Sequence, residues 1–376
     1  MIPLLDRYVV REMALPLLFG LAMFSTLLVV ATALLKLVAL LSRGAPLWAI
    51  SELFCLRWVS LLPFVLPMAV LLAALLAFGR LSSDSELVAI QAAGTPLLRV
   101  GAAAMVIGLL LSVGSLLINE RIVPTAARRA HRLEMVIQAA IKGGVRELDP
   151  ERGFFYQDVE RGVRQRTFNA TRFDVDAGRM ENVVFLEYAP DGNTVNLLVE
   201  AKWCEWDEAD PTRWIFHDGQ AKYLEQQTLQ RYQVVQHFSE WAVKVNRTPK
   251  QIRASLKEPE EMTYYELSDY IEDLKRQGVS PKKLLEMEVE RHRKLADPFI
   301  CLVFALIGTP LGIRRQRGGT AVGLGLSILI VFGFYLLWSS ARVLGENGTL
   351  PPLAASWVAN GVGFLVGLGF TWRATR

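Results

Sequence analysis

Few residues of this 376-residue chain are spaced for reaction chemistry. Four histidines (His131, His217, His237, His292) and three cysteines (Cys55, Cys204, Cys301) have no metal-ligand spacing. Three scattered cysteines make no disulfide framework. There is no G-x-x-x-x-G-K-[ST] and no Gly-Lys pair, so the chain has no phosphate-cradling loop of its own. Between Gly143 and Thr248 there is no Ser/His/Asp order, no Cys/His pair and no placeable carboxylate pair. What remains are charges in unusual places. Asp84 and Glu86 open a short segment, GRLSSDSELVAIQAAG, between two apolar runs. Lys36 is embedded in a third run, LLKLVALL. An anionic pair at a helix start sits where the positive end of the helix dipole favours it. A cation at membrane depth could snorkel to the interface, or hold an anionic lipid headgroup.

The elements that must position these charges follow from periodicity. Ser83-x-x-Glu86 reads as a capping box, and the helix dipole favours anions there. Leu87 and Ile90, three apart, share a face. Gly94 and then Pro96 end the helix, which is expected over about 83–94. A short amphipathic helix between two spans is the part that a membrane protein driven by a separate motor needs: a peg that carries a push.

Half the residues are hydrophobic (52%), and the net charge is only +4. There is no basic domain interleaved with aromatics, so nucleic acid is set aside as a partner. The apolar run from about Ala14 to Leu35 is too long for a signal-peptide core, which spans roughly 7–15 residues. It reads as a first membrane span, since a bilayer core needs about 20 apolar residues. A short outer connection is expected around Ser42–Arg57. Spans two and three are expected at about Trp58–Phe78, with Pro63 and Pro67, and about Val100–Ile118. Ala126–Ile141 reads as a helix leaving the membrane, and composition changes at Gly143-Gly144. Seven runs of β-formers follow: Phe154–Tyr156, Thr167–Phe173, Val183–Tyr188, Thr194–Trp203, Arg213–His217, Ala221–Leu224 and Tyr232–Phe238. Turn signals separate them at Asp176–Gly178, Asp191–Asn193 and Asp218-Gly219, which suggests a sandwich or jelly roll.

Thr263-x-x-Glu266 is a second capping box, with Gly278 as its helix stop. A charged helix, Pro281–Lys294, runs into a fourth span, Leu295–Ile313. Spans five (about Thr320–Val343) and six (about Leu353–Thr371) follow, and Gly363-x-x-x-Gly367 permits close approach in the last. Arg7, Arg11, the loop Arg314, Arg315 and Arg317, and Arg373 place both termini in the cytoplasm. The expected fold is a six-span helical membrane protein in two groups of three. An all-β, jelly-roll-like periplasmic domain is inserted between them. The expected divisions are 1–125, 126–262 and 263–376.

Four stretches together resemble the LptF/LptG family of lipopolysaccharide export permeases. They are GRLSSDSELVAIQAAG (Gly79–Gly94), INERIVPTAARRA (Ile118–Ala130), EVERHRKLADPFICLVFALIGTPLG (Glu288–Gly312) and LGENGTLPPLAASWVAN (Leu344–Asn360). LLDRY, SELVAIQAAG and LSDYIEDLKRQG lean towards the LptG side. The resemblance implies a non-catalytic inner-membrane permease with no bound cofactor of its own. ATP would be used by a cytoplasmic LptB-like ATPase dimer. Further implied partners are a second such permease or a second copy of this chain, periplasmic LptC/LptA-like proteins, and lipopolysaccharide.

It implies that the short helix is the coupling helix. Asp84, Glu86, Leu87 and Ile90 would then meet the ATPase, with Glu86 at the family's acidic coupling position. Lipid would enter laterally from the outer leaflet, where spans one and five of two permeases meet. The β domain would receive its acyl chains. Lys36, Arg128, Arg129, Arg132, Arg291, Arg293 and Lys294 would lie near the outer surface and could bind lipid phosphates. The alternative for the arginines is a solvated helix face with internal Glu–Arg pairs, especially Glu288, Arg291 and Arg293. Rival functions are export of another glycolipid, a membrane-bound enzyme, or an envelope assembly scaffold.

Overall fold

The computed structural model describes residues 4–141, 152–160, 163–174, 179–189, 191, 194–207, 210, 212–224, 232–244, 257–276, 279–313 and 320–375. Gly143-Gly144, Asp176–Gly178, Gly192, Asn193, Gly278 and the basic loop Arg314, Arg315 and Arg317 lie outside the described residues. The chain forms two compact units. One comprises Met1–His131, Pro259–Leu267 and Pro281–Arg376; the other comprises Arg132–Glu258 and Ser268–Ser280.

The first unit is helical. Six helices are long and apolar enough to cross a bilayer: Leu4–Ser42, Leu47–Ser83, Leu97–Glu134, Pro281–Ile313, Val322–Glu346 and Pro352–Ala374. The first comprises α1 (Leu4–Val29) and α2 (Leu35–Ser42), joined by a π-helical turn at Val30–Leu34. Next comes α3 (Leu47–Ser83), which continues unbroken through Pro63 and Pro67. The expected outer connection is therefore far shorter, because Pro46 sets the chain at φ −69° and the helix starts at Leu47. Hydropathy marked the continuous apolar stretch, and the helix extends beyond it at both ends, with Ala49, Leu53 and Leu81 buried there.

The short helix α4 covers Glu86–Ala92. It is followed by α5 (Leu97–Leu117), a second π-helical turn at Ile118–Ile122, and α6 (Val123–Ile141). Beyond the β strands come α7 (Tyr264–Arg276), α8 (Pro281–Ala296), α9 (Ile300–Ile313), α10 (Thr320–Glu346) and α11 (Pro352–Thr375).

Helices α3 and α9 form the centre. Leu71, Leu75, Ile300, Val303, Phe304 and Phe334 make one buried cluster. Gly308 and Gly312 bring α9 against α3: a Cβ on Gly308 would lie 2.8 Å from Ala74 Cβ, and one on Gly312 2.9 Å from Phe78 Cβ. Gly363 and Gly367 do approach another helix closely, fitting against Val303 and Leu306 of α9. The outer faces of α1, α5, α10 and α11 expose Leu18, Leu110, Phe332 and Leu365, as lipid contact requires.

The second unit carries one six-stranded antiparallel sheet in the order β1 (Arg152–Glu160), β2 (Val163–Asp174), β3 (Arg179–Tyr188), β4 (Val195–Trp206), β5 (Arg213–Leu224) and β6 (Tyr232–Lys244). The inserted all-β region is present. Among the described residues its strands pair in sequence order, each with its immediate chain neighbour.

Arg213–His217 and Ala221–Leu224, read as two strands, are one. Asp218 has φ +51°, yet the pairing register is the same on both sides of it. Gly219 marks a close approach rather than a turn, since its Cβ would meet the Glu200 carbonyl and the Phe238 ring. One face of the sheet buries Phe168, Phe185, Val199, Cys204, Trp214 and Phe216. Burial pushes the Cys204 thiol up, so it stays protonated and inert.

Candidate functional site

The capping box at Ser83 and Glu86 does not form. Ser83 is the last residue of α3, and its hydroxyl donates to the Arg80 carbonyl (2.9 Å) and to Asp84 (3.3 Å). Ser85 takes the left-handed conformation at φ +59°, and α4 starts only at Glu86. Serine and aspartate compete locally for the backbone, which ends one helix here instead of starting the next. The far end behaves as its residues dictate. Gly94 takes φ +85°, its N–H donates to the Gln91 carbonyl, and Pro96 precedes α5.

The side chains of this short peg helix divide by face. Leu87 is buried (4% exposed) in a cluster with Val9, Met13, Phe78, Leu81 and Val100, and Ile90 packs partly against it. The stripe expected to meet a partner therefore faces the chain's own helices, the nearest apolar surface available. The outward face is Val88 (56% exposed) with Ala89, Gln91 and Ala92.

Asp84 is exposed, but Glu86 is not free. Its Oε2 accepts from the Tyr8 hydroxyl at 2.5 Å, and its Oε1 lies 3.9 Å from Arg80. Arg80 also pairs with Glu12 (2.9 Å) and Asp84 (3.7 Å). Thus three carboxylates share one guanidinium, and the cluster is net anionic. Just beyond the helix, Arg99 donates two hydrogen bonds to Asp6, at 2.6 and 2.8 Å. Sequence reasoning missed Asp6, Tyr8, Glu12, Arg80 and Arg99. The only signal was that each is a polar residue at the edge of an apolar run.

The cations expected to meet lipid phosphate divide in two. Arg128 pairs with Glu266 (3.4 Å) and Arg129 with Glu52 (2.5 Å). Arg293 is nearly buried, pairs with Glu290 (2.8 Å) and Asp297 (3.4 Å), and lies over the Trp338 ring. Arg342, absent from the sequence reading, pairs with both Glu290 and Glu346 at 2.6 Å. Lys294 is buried, and its carbonyl accepts from Asn119.

For Arg128, Arg129 and Arg293, then, the internal pairing is what is found. Such pairs form because a carboxylate one turn away, or on the facing helix, costs less to reach than a mobile ligand. Arg291 is half-buried near His292, with its Nε unpartnered. Lys36 and Arg132 are exposed and have no ion-pair partner among the described residues. The second capping box is present: the Thr263 N–H donates to Glu266, and the Glu266 N–H donates to the Thr263 hydroxyl. Among the described residues no cluster could hold a metal ion.

Comparison with known proteins places these features. The family described as lipopolysaccharide export system permease LptF/LptG matches residues 7–373. Among relatives, the lipopolysaccharide export system permease protein LptG of Haemophilus influenzae is 26% identical over 295 residues. That alignment covers 76% of this chain and 74% of the relative.

Proposed function

Because this chain belongs to the LptF/LptG family and is a permease subunit of lipopolysaccharide export, we propose that α4 is the contact through which a separate ATPase drives it. The chain is a multi-pass inner-membrane transporter subunit, not an enzyme. The observation that carries the proposal is the peg itself. It lies between two spans, with its apolar side anchored, its other side exposed, and an anionic cluster at its start. The sequence has no Gly-Lys phosphate-cradling loop, and in this reading ATP is used by the partner.

In this reading the termini and the peg are cytoplasmic, as the arginine distribution requires, and the sheet is periplasmic. Asp84, Val88 and Gln91 meet a basic-rimmed groove on an LptB-like ATPase dimer. Leu87 and Ile90 hold the peg from within. A second LptF/LptG-type permease, or a second copy of this chain, completes the cavity. Lipopolysaccharide enters that cavity laterally from the outer leaflet. Of the cations expected to meet lipid phosphate, Lys36, Arg132 and Arg291 keep capacity for it. The apolar sheet face receives acyl chains and passes them to LptC/LptA-like partners.

The test is Val88→Asp. It places a charge on the outward face and removes nothing from the core. The expected result is loss of ATPase co-purification with unchanged thermal unfolding of the permease. Full ATPase retention would contradict the assignment of this face.

A further inference from the structure

Helix α4 has seven residues, too few to hold its shape alone. Both of its chain connections pass through a left-handed residue, Ser85 and Gly94. Leu87 packs on Phe78 and Leu81 of α3 and on Val100 of α5, and the polar contacts that hold the peg come from the N-terminal turns of α1. Tyr8 donates to Glu86 at the first residue of the peg. Asp6 accepts both hydrogen bonds of Arg99, five residues past the last residue of Gly94's side of the turn, at the start of α5. Glu12 holds Arg80 on the last turn of α3. Between these polar contacts, Leu5, Val9 and Met13 pack with Leu87, Ile90 and Val100. The helix leading into the peg, the peg, and the helix leading out are thus all bonded to the N-terminal turns of the first span. These partners lie 78 and 93 residues apart in the chain.

We infer that Asp6 and Tyr8 are positioning residues that make the peg and the first span one mechanical body, so that a push on the peg is delivered to the first span. The inference rests on the reading of α4 as the ATPase contact. Tyr8 has a second consequence. By occupying one carboxylate oxygen, it sets the direction in which Glu86 presents the other. The exposed Lys36 lies on the same continuous span, Leu4–Ser42, so movement of the peg carries that cation with it.

The test uses the complete complex with its ATPase and partner permease, reconstituted in vesicles containing lipopolysaccharide. Lipopolysaccharide extracted per ATP hydrolysed is measured for Tyr8→Phe, Asp6→Asn, Glu86→Gln, Val88→Asp and the Tyr8→Phe/Glu86→Gln pair. Thermal unfolding of each is measured alongside. Tyr8→Phe and Asp6→Asn are each expected to lower that ratio about tenfold, the size of one hydrogen bond to a charged group. The double variant should fall no further than Glu86→Gln alone, because Tyr8 acts through Glu86. Asp6→Glu should restore coupling.

A merely structural role would lower the unfolding temperature and leave the ratio intact, and that result overturns the inference. If Glu86→Gln abolishes coupling while Tyr8→Phe and Asp6→Asn keep it, the clamp is wrong and the peg reading stands. If Glu86→Gln couples normally, the Tyr8–Glu86 clamp is wrong; if Val88→Asp couples normally, the peg reading itself fails. Should Tyr8→Phe not fold, Asp6→Asn and its rescue by Asp6→Glu decide the question.

Discussion

At the scale of single residues, two cations that the sequence placed together as lipid-phosphate candidates differ in their surroundings. Arg293 is 6% exposed at its side chain, between Glu290 and Asp297 and above Trp338. Its removal leaves the buried Asp297 without its cation and Glu290 with Arg342 alone, so Arg293→Ala is expected to cost about 3 kcal/mol of stability. Lys36 has no such partner among the described residues, so Lys36→Asp should leave thermal unfolding unchanged and reduce co-purifying lipopolysaccharide. Both variants are checked by unfolding in detergent and by lipid mass spectrometry. Lipid loss at Arg293 without a drop in unfolding temperature would contradict the structural role assigned to it. Sequence could nominate both residues, because charge beside an apolar run is visible in one dimension. It could not divide them, because the dividing fact is a carboxylate on the next turn or on a facing helix. The same holds for Glu86, whose tyrosine partner lies 78 residues away.

At the scale of elements, the helix pair α3 and α9 is held by shape rather than by charge. Gly308→Ala would push a methyl to 2.8 Å from Ala74 Cβ and 3.1 Å from the Leu71 carbonyl. The expected cost is about 1–3 kcal/mol, read as a lower unfolding temperature. Gly325→Ala meets nothing within 4 Å and should be neutral or stabilising. Equal effects at the two glycines would contradict the packing. The six spans were legible because a run of about 20 apolar residues has few other uses. Their true lengths were not, since α3 extends a helical start at Leu47 well before the apolar stretch. The peg's end at Gly94 was readable, because only a left-handed residue was needed there. Its start was misplaced, because Ser83 and Asp84 have a competing local use in closing α3. The same ambiguity affects Asp218-Gly219, where a turn signature is spent inside a strand.

At the scale of the whole molecule, the chain is a lipopolysaccharide export permease subunit in which two groups of polar contacts join helices at opposite ends of the spans. One end ties the peg to the first span through Asp6, Tyr8 and Glu12. The other ties α8 and the turn that follows it, at Asp297, to α10 through Glu290, Arg293, Asp297, Trp338 and Arg342. Between them the contacts are apolar and closely fitted. The most direct measurement is extraction of this chain from its native membrane in mild detergent, followed by mass spectrometry of the proteins and lipids that accompany it. An ATPase, a permease partner or second copy, and bound lipopolysaccharide are the predicted result. Recovery of the chain with no ATPase and no lipopolysaccharide would contradict the account.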